Sequence, residues 1–212
     1  GGGGGGAGTI FQMAPPSTPG GAWTETVLHA FPYSASESQN VHPNGTVLIG
    51  PGGALYGTTQ GTNPYIGLVF ALAPPLTPGG AWTEYGLYHF GGGADGGGPP
   101  AGVVSEGGSL FGTTIDGGDV GGQNGSGVVF QLTPGPTHGS AWTETAVHTF
   151  TGYPGDGGVP DALLTVGPSG VLYGTTRSGG SWQCYTADVT TDGCGTVFEL
   201  IPPSASGGTW TY

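Results

Sequence analysis

The chain has 212 residues, of which 50 are glycine and 19 are proline, and only 7% are charged. One basic side chain, Arg177, stands against 13 Asp and Glu residues, so the formal net charge is −12. With a single cationic side chain the protein cannot bind a series of phosphate groups, so we expect neither nucleic acid nor an anionic membrane surface as a partner. Gly and Pro interrupt every stretch that could form a long helix, and no run of about 20 apolar residues is present, so we expect no membrane insertion.

Phenylalanine and tryptophan recur along the chain in fixed contexts, at intervals near 60 residues. A phenylalanine closes the motifs G-T-I-F, G-L-V-F, G-V-V-F and G-T-V-F, at Phe11, Phe70, Phe130 and Phe198. A tryptophan follows each of them 12 residues later, at Trp23, Trp82, Trp142 and Trp210. A third motif, L-[Y/F]-G-T-T, occurs at Leu55–Thr59, Leu110–Thr114 and Leu172–Thr176. This self-similarity predicts one tandem array over residues 1–212, with repeats at about 1–60, 61–116 and 117–180 and a partial repeat at 181–212.

In chain order, each repeat contains four stretches with the composition of β-strands. The G-T-V-F strand ends at Pro-Pro, and the W-T-E motif opens a second run rich in Thr, Val and aromatic residues. Two further apolar runs flank a tight turn such as G-P-S-G, which predicts a hairpin whose second strand is L-[Y/F]-G-T-T. Four short antiparallel strands in roughly 60 residues are typical of a propeller blade. We therefore predict an all-β fold of about 3.5 propeller-like, four-stranded antiparallel blades, with a β-solenoid as the alternative.

The ordered motifs resemble those of the GloVer-type tandem repeats. The resemblance rests on G-T-V-F-x-L-x-P, W-T-E-x-x-L-H-x-F, D-G-x-x-P-x-A-x-L and G-x-L-Y-G-T-T, and it covers almost the whole chain. These repeats belong to extracellular bacterial proteins described as choice-of-anchor repeat proteins. The resemblance implies a secreted or surface-displayed β-repeat protein and no enzymatic activity, so we expect an extracellular or cell-surface location.

The histidines do not form a catalytic pattern. His29 and His148 occupy equivalent positions, but Tyr88 stands at that position in the second repeat and His89 follows one place later, which in a strand is the opposite face. We interpret these histidines as structural, hydrogen-bonded between repeats. The sequence contains no G-x-S-x-G nucleophile motif and no recurring Ser/His/Asp set, so we predict no enzyme.

Acidic residues in glycine-rich loops are the candidate metal ligands. Carboxylates, amide oxygens and backbone carbonyls are the ligands that Ca²⁺ prefers. The candidate Ca²⁺ ligands are Asp116, Asp119, Asn124, Asp95, Asp156 and Asp161, with Asp116 and Asp119 as the best pair. The alternative is that D-G is a plain turn dipeptide in which Asp caps its own backbone. No cofactor is required by this interpretation, and Ca²⁺ is the one candidate.

Cys184 and Cys194 are the two cysteines, and they lie where the tryptophan spacing grows from 60 to 68 residues. They therefore belong to an inserted loop. In a protein expected outside the cell, two cysteines around such a loop favour a disulfide.

Two functions fit these observations. The first is a structural surface protein that assembles head to tail, the first strands of one subunit completing the last repeat of the next, into a filament, which we favour over a ring, or a larger scaffold. The second is a propeller-type module that binds a glycan or another small ligand through exposed aromatic side chains. Its candidate contacts are Trp182, Tyr33, Tyr65 and Tyr153.

Overall fold

The computed structural model of the chain describes residues 8–31, 41–61, 67–118, 125–137, 140–182, 184–186, 189–191, 193–205 and 207–212. Throughout these residues the fold is all-β, and the strands form six small antiparallel sheets. The prediction of an all-β fold is confirmed. None of the helices in the described part of the chain has the length and apolarity needed to cross a membrane.

Four of the sheets follow one another along the chain, and each corresponds to one group of sequence motifs. The first sheet pairs β1 (Gly8–Ala14) with β2 (Thr24–Phe31). The second sheet is ordered β3 (Val41–Ile49), β4 (Leu55–Gly61), β5 (Gly67–Ala73) and β6 (Thr83–Phe90). The third is ordered β7 (Val104–Glu106), β8 (Ser109–Thr114), β9 (Val128–Thr133) and β10 (Thr143–Thr149).

The fourth sheet and two small pairs complete the fold. The two-residue strand β11 (Gly157–Gly158) pairs with β14 (Ser178–Gly179). The fourth sheet is ordered β12 (Thr165–Val166), β13 (Leu172–Thr176) and β17 (Thr196–Leu200), and an Ile201–Thr211 bridge adds the start of a fourth strand. A hairpin joins β15 (Cys184–Thr186) to β16 (Val189–Thr191). Two 3₁₀ turns, Pro51–Gly53 and Pro168–Gly170, form the predicted hairpin turns.

The glycine of each L-[Y/F]-G-T-T strand and the phenylalanine of the following G-x-x-F strand form a cross-strand pair. Gly57 lies opposite Phe70, and a Cβ atom on Gly57 would lie 2.5 Å from the ring Cζ. Gly112 and Phe130 repeat this pair with the same spacing. The glycine therefore leaves the space that the phenylalanine ring fills.

Apolar side chains alternate along the central strands of the second and third sheets, so each of these two sheets packs against both of its neighbours. In β5, Phe70 faces the first sheet, whereas Val69 faces the third. This alternation makes three separate cores, one at each junction between consecutive sheets. The first contains Ile10, Phe31, Leu55, Leu68, Phe70 and Leu72; the second Val69, Phe90, Val103, Leu110, Val128, Phe130 and Leu132; the third Phe111, Val129, Phe150, Leu164, Leu172, Phe198 and Leu200.

Glycine-rich loops connect neighbouring sheets through backbone hydrogen bonds. The N–H of Thr46 donates to the carbonyl oxygen of Ala101 (3.1 Å), and the N–H of Val159 donates to that of Ser126 (2.7 Å). Gly102 has a φ of +93°, and a Cβ atom there would overlap the Thr46 backbone. Close backbone approach and positive φ together explain why these loops need glycine.

Candidate functional site

The loop aspartates that were predicted as calcium ligands hold the turns between strands. Asp95 accepts hydrogen bonds from the N–H of Gly91 (2.8 Å) and of Gly93 (3.2 Å). Asp156 accepts from the N–H of Thr151 (2.8 Å) and of Gly157. These bonds fit the alternative reading of D-G as a capped turn.

The other predicted metal ligands do not form these turns, although the backbone of Asp116 is joined to the Asp95 turn. Asp116 shares two backbone hydrogen bonds with Gly97, and burial raises the pKa of its carboxyl group. Asp161 lies 3.9 Å from the Nε of Arg177. Asp119 and Asn124 fall outside the described residues. Among the described residues, no three His, Cys, Asp or Glu side chains converge on a common point that could hold a metal ion, and Ca²⁺ binding stays a prediction.

The predicted disulfide is confirmed, and the predicted ligand contacts are only partly described. Cys184 and Cys194 are bonded, with their Cα atoms 5.1 Å apart. Trp182 is 80% exposed and Tyr153 is also exposed, as a glycan contact requires. Tyr33 and Tyr65 lie outside the described residues.

The junctions between sheets repeat two apolar contacts from one junction to the next. Trp82, Trp142 and Trp210 each pack on the core that their sheet shares with the preceding sheet. At the third junction the rings of Trp210 and Phe111 meet edge to face, with centroids 5.6 Å apart. A proline of the later sheet also lies on the first glycine of the earlier G-x-x-F strand, as Pro43 does on Gly8.

The same two motif positions meet across the first and third junctions, once as a hydrogen bond and once as a ring stack. His29 Nε2 lies 2.8 Å from Glu84 Oε2 at the first junction. At the third junction the same two positions are His148 and Tyr212, whose rings stack 4.0 Å apart. The contact of His29 confirms that this histidine is hydrogen-bonded between repeats, whereas His148 stacks on Tyr212 and its Nε2 has no hydrogen-bond partner among the described residues.

At the second junction the equivalent residues are Tyr88 and Glu144, beside Asp95. The Tyr88 hydroxyl donates to Asp95 Oδ2 (3.1 Å). Glu144 Oε1 is buried and has no hydrogen-bond partner among the described residues. Burial, and after it the charge of Asp95, raises the pKa of Glu144 to about 7. Burial also raises the pKa of Tyr88, and the two carboxylates add to this effect. Between pH 4.5 and about 7, Glu144 therefore keeps a proton that an exposed glutamate would release.

At the third junction His148, Asp156 and Tyr212 form a compact group. His148 Nε2 lies 3.4 Å from Asp156 Oδ2, an ion-pair distance without the alignment of a hydrogen bond. Burial lowers the pKa of His148 and outweighs the opposing effect of Asp156. Burial alone would raise the pKa of Asp156, but the N–H groups of Thr151 and Gly157 and the Tyr212 hydroxyl stabilise its carboxylate, so its pKa is lowered.

The outer surfaces of the first and fourth sheets expose the positions that the inner junctions bury. On the first sheet, Phe11 is 55% exposed, whereas its equivalent Phe70 is 1% exposed. On the fourth sheet, Val197 is 82% exposed, whereas its equivalent Val129 is fully buried. We call these surfaces the Phe11 face, made of Phe11, Met13 and Trp23, and the Val197 face, made of Tyr173, Val197 and Ile201.

The two faces correspond to opposite sides of one inner junction. Phe11 and Trp23 match residues that pack toward a preceding sheet, and Tyr173 and Val197 match residues that pack toward a following sheet. Sequence analysis missed Tyr173, Val197 and Glu144. Aligning the repeats would have found them, because each occupies a motif position whose equivalents lie at a junction.

Consecutive small antiparallel sheets, joined by repeated contacts, define a tandem β-repeat protein. A sequence model of the Gloeobacter/Verrucomicrobia repeat matches residues 1–212, so the chain belongs to this repeat family. The resemblance seen in the motifs is thereby confirmed. No curated protein and no solved structure matches the chain.

Proposed function

We propose that this protein is an extracellular structural repeat protein that assembles head to tail, the Phe11 face of one copy packing on the Val197 face of the next. The observation that carries the proposal is the correspondence of these two faces to opposite sides of an inner junction. The four sheets then act as propeller-like blades in a stack that continues from copy to copy. No catalytic step is part of this function.

The inner junctions supply the contacts expected between copies. Trp210 packs edge to face on Phe111, and the residue equivalent to Phe111 in the fourth sheet is Tyr173. Trp23 is equivalent to Trp210, so we expect the Trp23 ring of one copy to pack on Tyr173 of the next. In the same way, Phe11 and Met13 would cover Val197, as the third core covers Val129.

Burial of these side chains supplies the driving force. Burying a Val, Met or Phe side chain contributes roughly 1.5–3 kcal/mol relative to leaving it exposed. Free sheet edges and faces invite association. Each face also carries one exposed carboxylate, because Glu25 lies opposite Met13 and Glu199 lies opposite Tyr173, so the apolar contact must outweigh the repulsion between them.

A head-to-tail contact joins two different surfaces, so it either closes into a ring or continues as a filament. We favour the filament. That the first strands of one copy complete the last repeat of another stays a prediction. The fourth sheet already begins a fourth strand of its own through the Ile201–Thr211 bridge. Face-to-face packing does not need that exchange of strands.

The disulfide supports the extracellular part of the proposal. A structural disulfide persists in an oxidising compartment. The Cys184–Cys194 disulfide joins two residues that are ten positions apart in the sequence. The resemblance to surface-displayed bacterial repeats points to the same location.

Concentration-dependent sizing tests the assembly. Sedimentation velocity on the wild-type chain should show species larger than a monomer at micromolar concentration, and negative-stain images should show linear particles. Val197→Asp should weaken association by more than tenfold, because it places a charge in an apolar contact. Leu76→Asp is the matched control, since Leu76 is fully exposed and lies on neither face. A monomeric wild type, or equal effects of the two variants, would contradict the proposal.

Ligand binding is the second candidate function, and one cleft favours it. A cavity of about 610 Å³ lies between the second sheet and the segment that joins β9 to β10, and Tyr56, Tyr85 and Trp142 line it. Aromatic rings of this kind suit a sugar face. Saturable quenching of tryptophan fluorescence by an oligosaccharide, lost in Trp142→Ala and kept in Trp182→Ala, would support a site here. Equal loss in both variants would place the site elsewhere.

A further inference from the structure

We propose that Tyr56, Ala71 and Tyr85 make the cleft of the second sheet a binding site for one uncharged sugar ring of a glycan. In this site Ala71 and Tyr85 are the specificity-determining residues. This inference deepens the ligand-binding function proposed above and rests on it. It names the class of ligand, and it assigns the site to features of the second repeat that the neighbouring repeats do not share.

The three residues form one row across three neighbouring strands. Ala71 of β5 lies directly opposite Tyr56 of β4 on one side and directly opposite Tyr85 of β6 on the other. Residues that are directly opposite in a sheet point to the same face, and all three of these residues line the cleft. The row therefore places a small side chain between two aromatic rings.

The second sheet differs from the other sheets at two positions of this row. The residues equivalent to Ala71 in the first, third and fourth sheets are Gln12, Gln131 and Glu199. The residues equivalent to Tyr85 in the first and third sheets are Thr26 and Thr145. A long polar side chain is thus replaced by a methyl group at the centre of the row, and a small side chain is replaced by an aromatic ring beside it. The first change opens the floor of the cleft, and the second adds a wall.

The third sheet shows the same row without these changes. Gln131 lies opposite both Phe111 and Thr145, and its Nε2 donates a hydrogen bond to Ser109 Oγ (3.0 Å). The glutamine side chain is therefore held over the centre of the row. The position that is open at Ala71 is occupied in the third sheet.

The aromatic residues next to the row also differ between the two junctions. At the third junction the rings of Trp210 and Phe111 are in contact, with centroids 5.6 Å apart. The equivalent residues of the second junction, Trp142 and Tyr56, line different walls of a cavity of about 610 Å³. A volume of this size lies in the range of ligand-binding pockets. The same motif positions thus form a packed contact at one junction and an open site at the other.

The dimensions of the row suit a sugar ring. Neighbouring strands lie about 4.8 Å apart, so the backbones at Tyr56 and Tyr85, two strands apart, are separated by roughly 9–10 Å. A sugar ring that contacts one aromatic ring on each of its two faces, at about 4 Å for each contact, spans about 8 Å between those rings. The methyl group of Ala71 leaves this space open, whereas a glutamine would occupy it.

The polar groups of the cleft favour an uncharged ligand. None of the lining residues that the structure describes carries a charge, and the chain as a whole carries −12. An anionic sugar would have to enter against this charge, and a cationic one would meet no carboxylate on the described walls. The hydroxyl groups of Thr137 and Ser140, 2.6 Å apart, line the cleft together with the two tyrosines. Hydroxyl groups both donate and accept hydrogen bonds, as sugar hydroxyls require.

Substitutions taken from the other sheets test the row with side chains that the repeat already accommodates. Ala71→Gln and Tyr85→Thr each introduce the residue that the first and third sheets carry at that position, so both variants should fold, as thermal unfolding would verify. Wild-type protein is titrated with cellohexaose, mannohexaose and the chitin hexasaccharide, and tryptophan fluorescence is followed. We expect saturable binding of at least one of these neutral probes, weakened roughly tenfold or more by each substitution. Gln12→Ala is the matched control, because it changes the equivalent position of the first sheet, and it should leave the affinity unchanged.

A hexasaccharide of galacturonic acid tests the charge of the ligand, and we expect it to bind more weakly than the neutral probe. Neutral binding that is unchanged in both Ala71→Gln and Tyr85→Thr, or tighter binding of the acidic probe, would overturn this inference and leave ligand binding itself standing. Failure of all three neutral probes would overturn both, and binding of a proline-rich peptide in their place would assign the cleft to a different class of ligand and overturn the inference too. None of these results affects the proposed assembly, which depends on the response of the wild-type chain to Val197→Asp.

Discussion

Gly57 lies directly opposite Phe70 in the pair of β4 and β5, and the phenylalanine ring occupies the space that a side chain on Gly57 would need. The same relationship joins Gly112 to Phe130 and Gly174 to Phe198. The two most regular motifs of the sequence are therefore two halves of one packing contact. Each ring buried in this way becomes part of the core toward the preceding sheet.

Substituting this glycine should destabilise the fold. Gly57→Ala places a Cβ atom 2.5 Å from the Phe70 ring, so the ring must shift out of its core. We expect a loss of about 1–3 kcal/mol in the free energy of unfolding, measured by urea denaturation. Gly91→Ala is the matched control, because a Cβ atom there has only ordinary contacts with Asp95. A loss no larger than that of the control would show that the ring does not depend on the glycine.

Much of this architecture could be predicted from the sequence, because the repeats expose it. The composition of the strands and the turn residues predicted the all-β class and the hairpins. The position of the two cysteines in an inserted loop predicted the disulfide. The contact of His29 with Glu84 could not be predicted, because it depends on which strands of consecutive sheets face each other. The role of Asp95 was similarly ambiguous, since a D-G pair fits both a turn and a metal ligand until its hydrogen bonds are known.

Val159 departs from the repeat pattern in a way that predicts a stabilising substitution. It has a φ of +54°, whereas the equivalent residue of the second repeat is Gly98 with a φ of +62°. A β-branched residue in this region costs roughly 1–2 kcal/mol, more than the entropy that a glycine loses on folding. Val159→Gly should therefore raise the free energy of unfolding by up to about 1 kcal/mol. Thermal unfolding checks this, and a lower midpoint would show that the valine contributes more by packing than it costs in strain.

Glu144 should make stability fall as the pH rises. Its pKa is raised from 4.5 to about 7 in the folded chain, because burial and Asp95 disfavour its charge. Between these pH values the folded state holds a proton that the unfolded state releases, so the contribution of Glu144 to stability is full below pH 4.5 and is lost as the pH rises through about 7. After allowance for its partial exposure to solvent, we expect about 1–2 kcal/mol for this group.

Glu144→Gln isolates this contribution. Denaturant unfolding at a series of pH values should show a smaller decline between pH 4.5 and pH 8 in this variant than in the wild type. Glu25→Gln is the matched control, because Glu25 occupies the equivalent position on the exposed first sheet. Parallel pH profiles for the wild type and Glu144→Gln would contradict the assignment of the proton to this junction.

Reduction of the disulfide should weaken the chain by a moderate amount. Cys184 and Cys194 are separated by ten positions, and closing a loop of that size contributes roughly 2–3 kcal/mol in the chain-entropy account. Cys184→Ser with Cys194→Ser should lower the thermal midpoint, and it should leave head-to-tail association intact because neither cysteine lies on the Phe11 face or the Val197 face. Loss of association in this double variant would connect the inserted loop to the contact between copies.

A photo-crosslinking experiment at Tyr173 tests the central claim most directly. The residue is replaced by benzoylphenylalanine, which keeps an aromatic ring on the Val197 face, and the products are identified by mass spectrometry after irradiation. The proposed assembly predicts an intermolecular crosslink from position 173 to the segment around Trp23 of another copy, and its yield should fall in Val197→Asp but not in Leu76→Asp. A crosslink from position 173 to the same position of another copy, or no intermolecular product at micromolar concentration, would contradict head-to-tail packing.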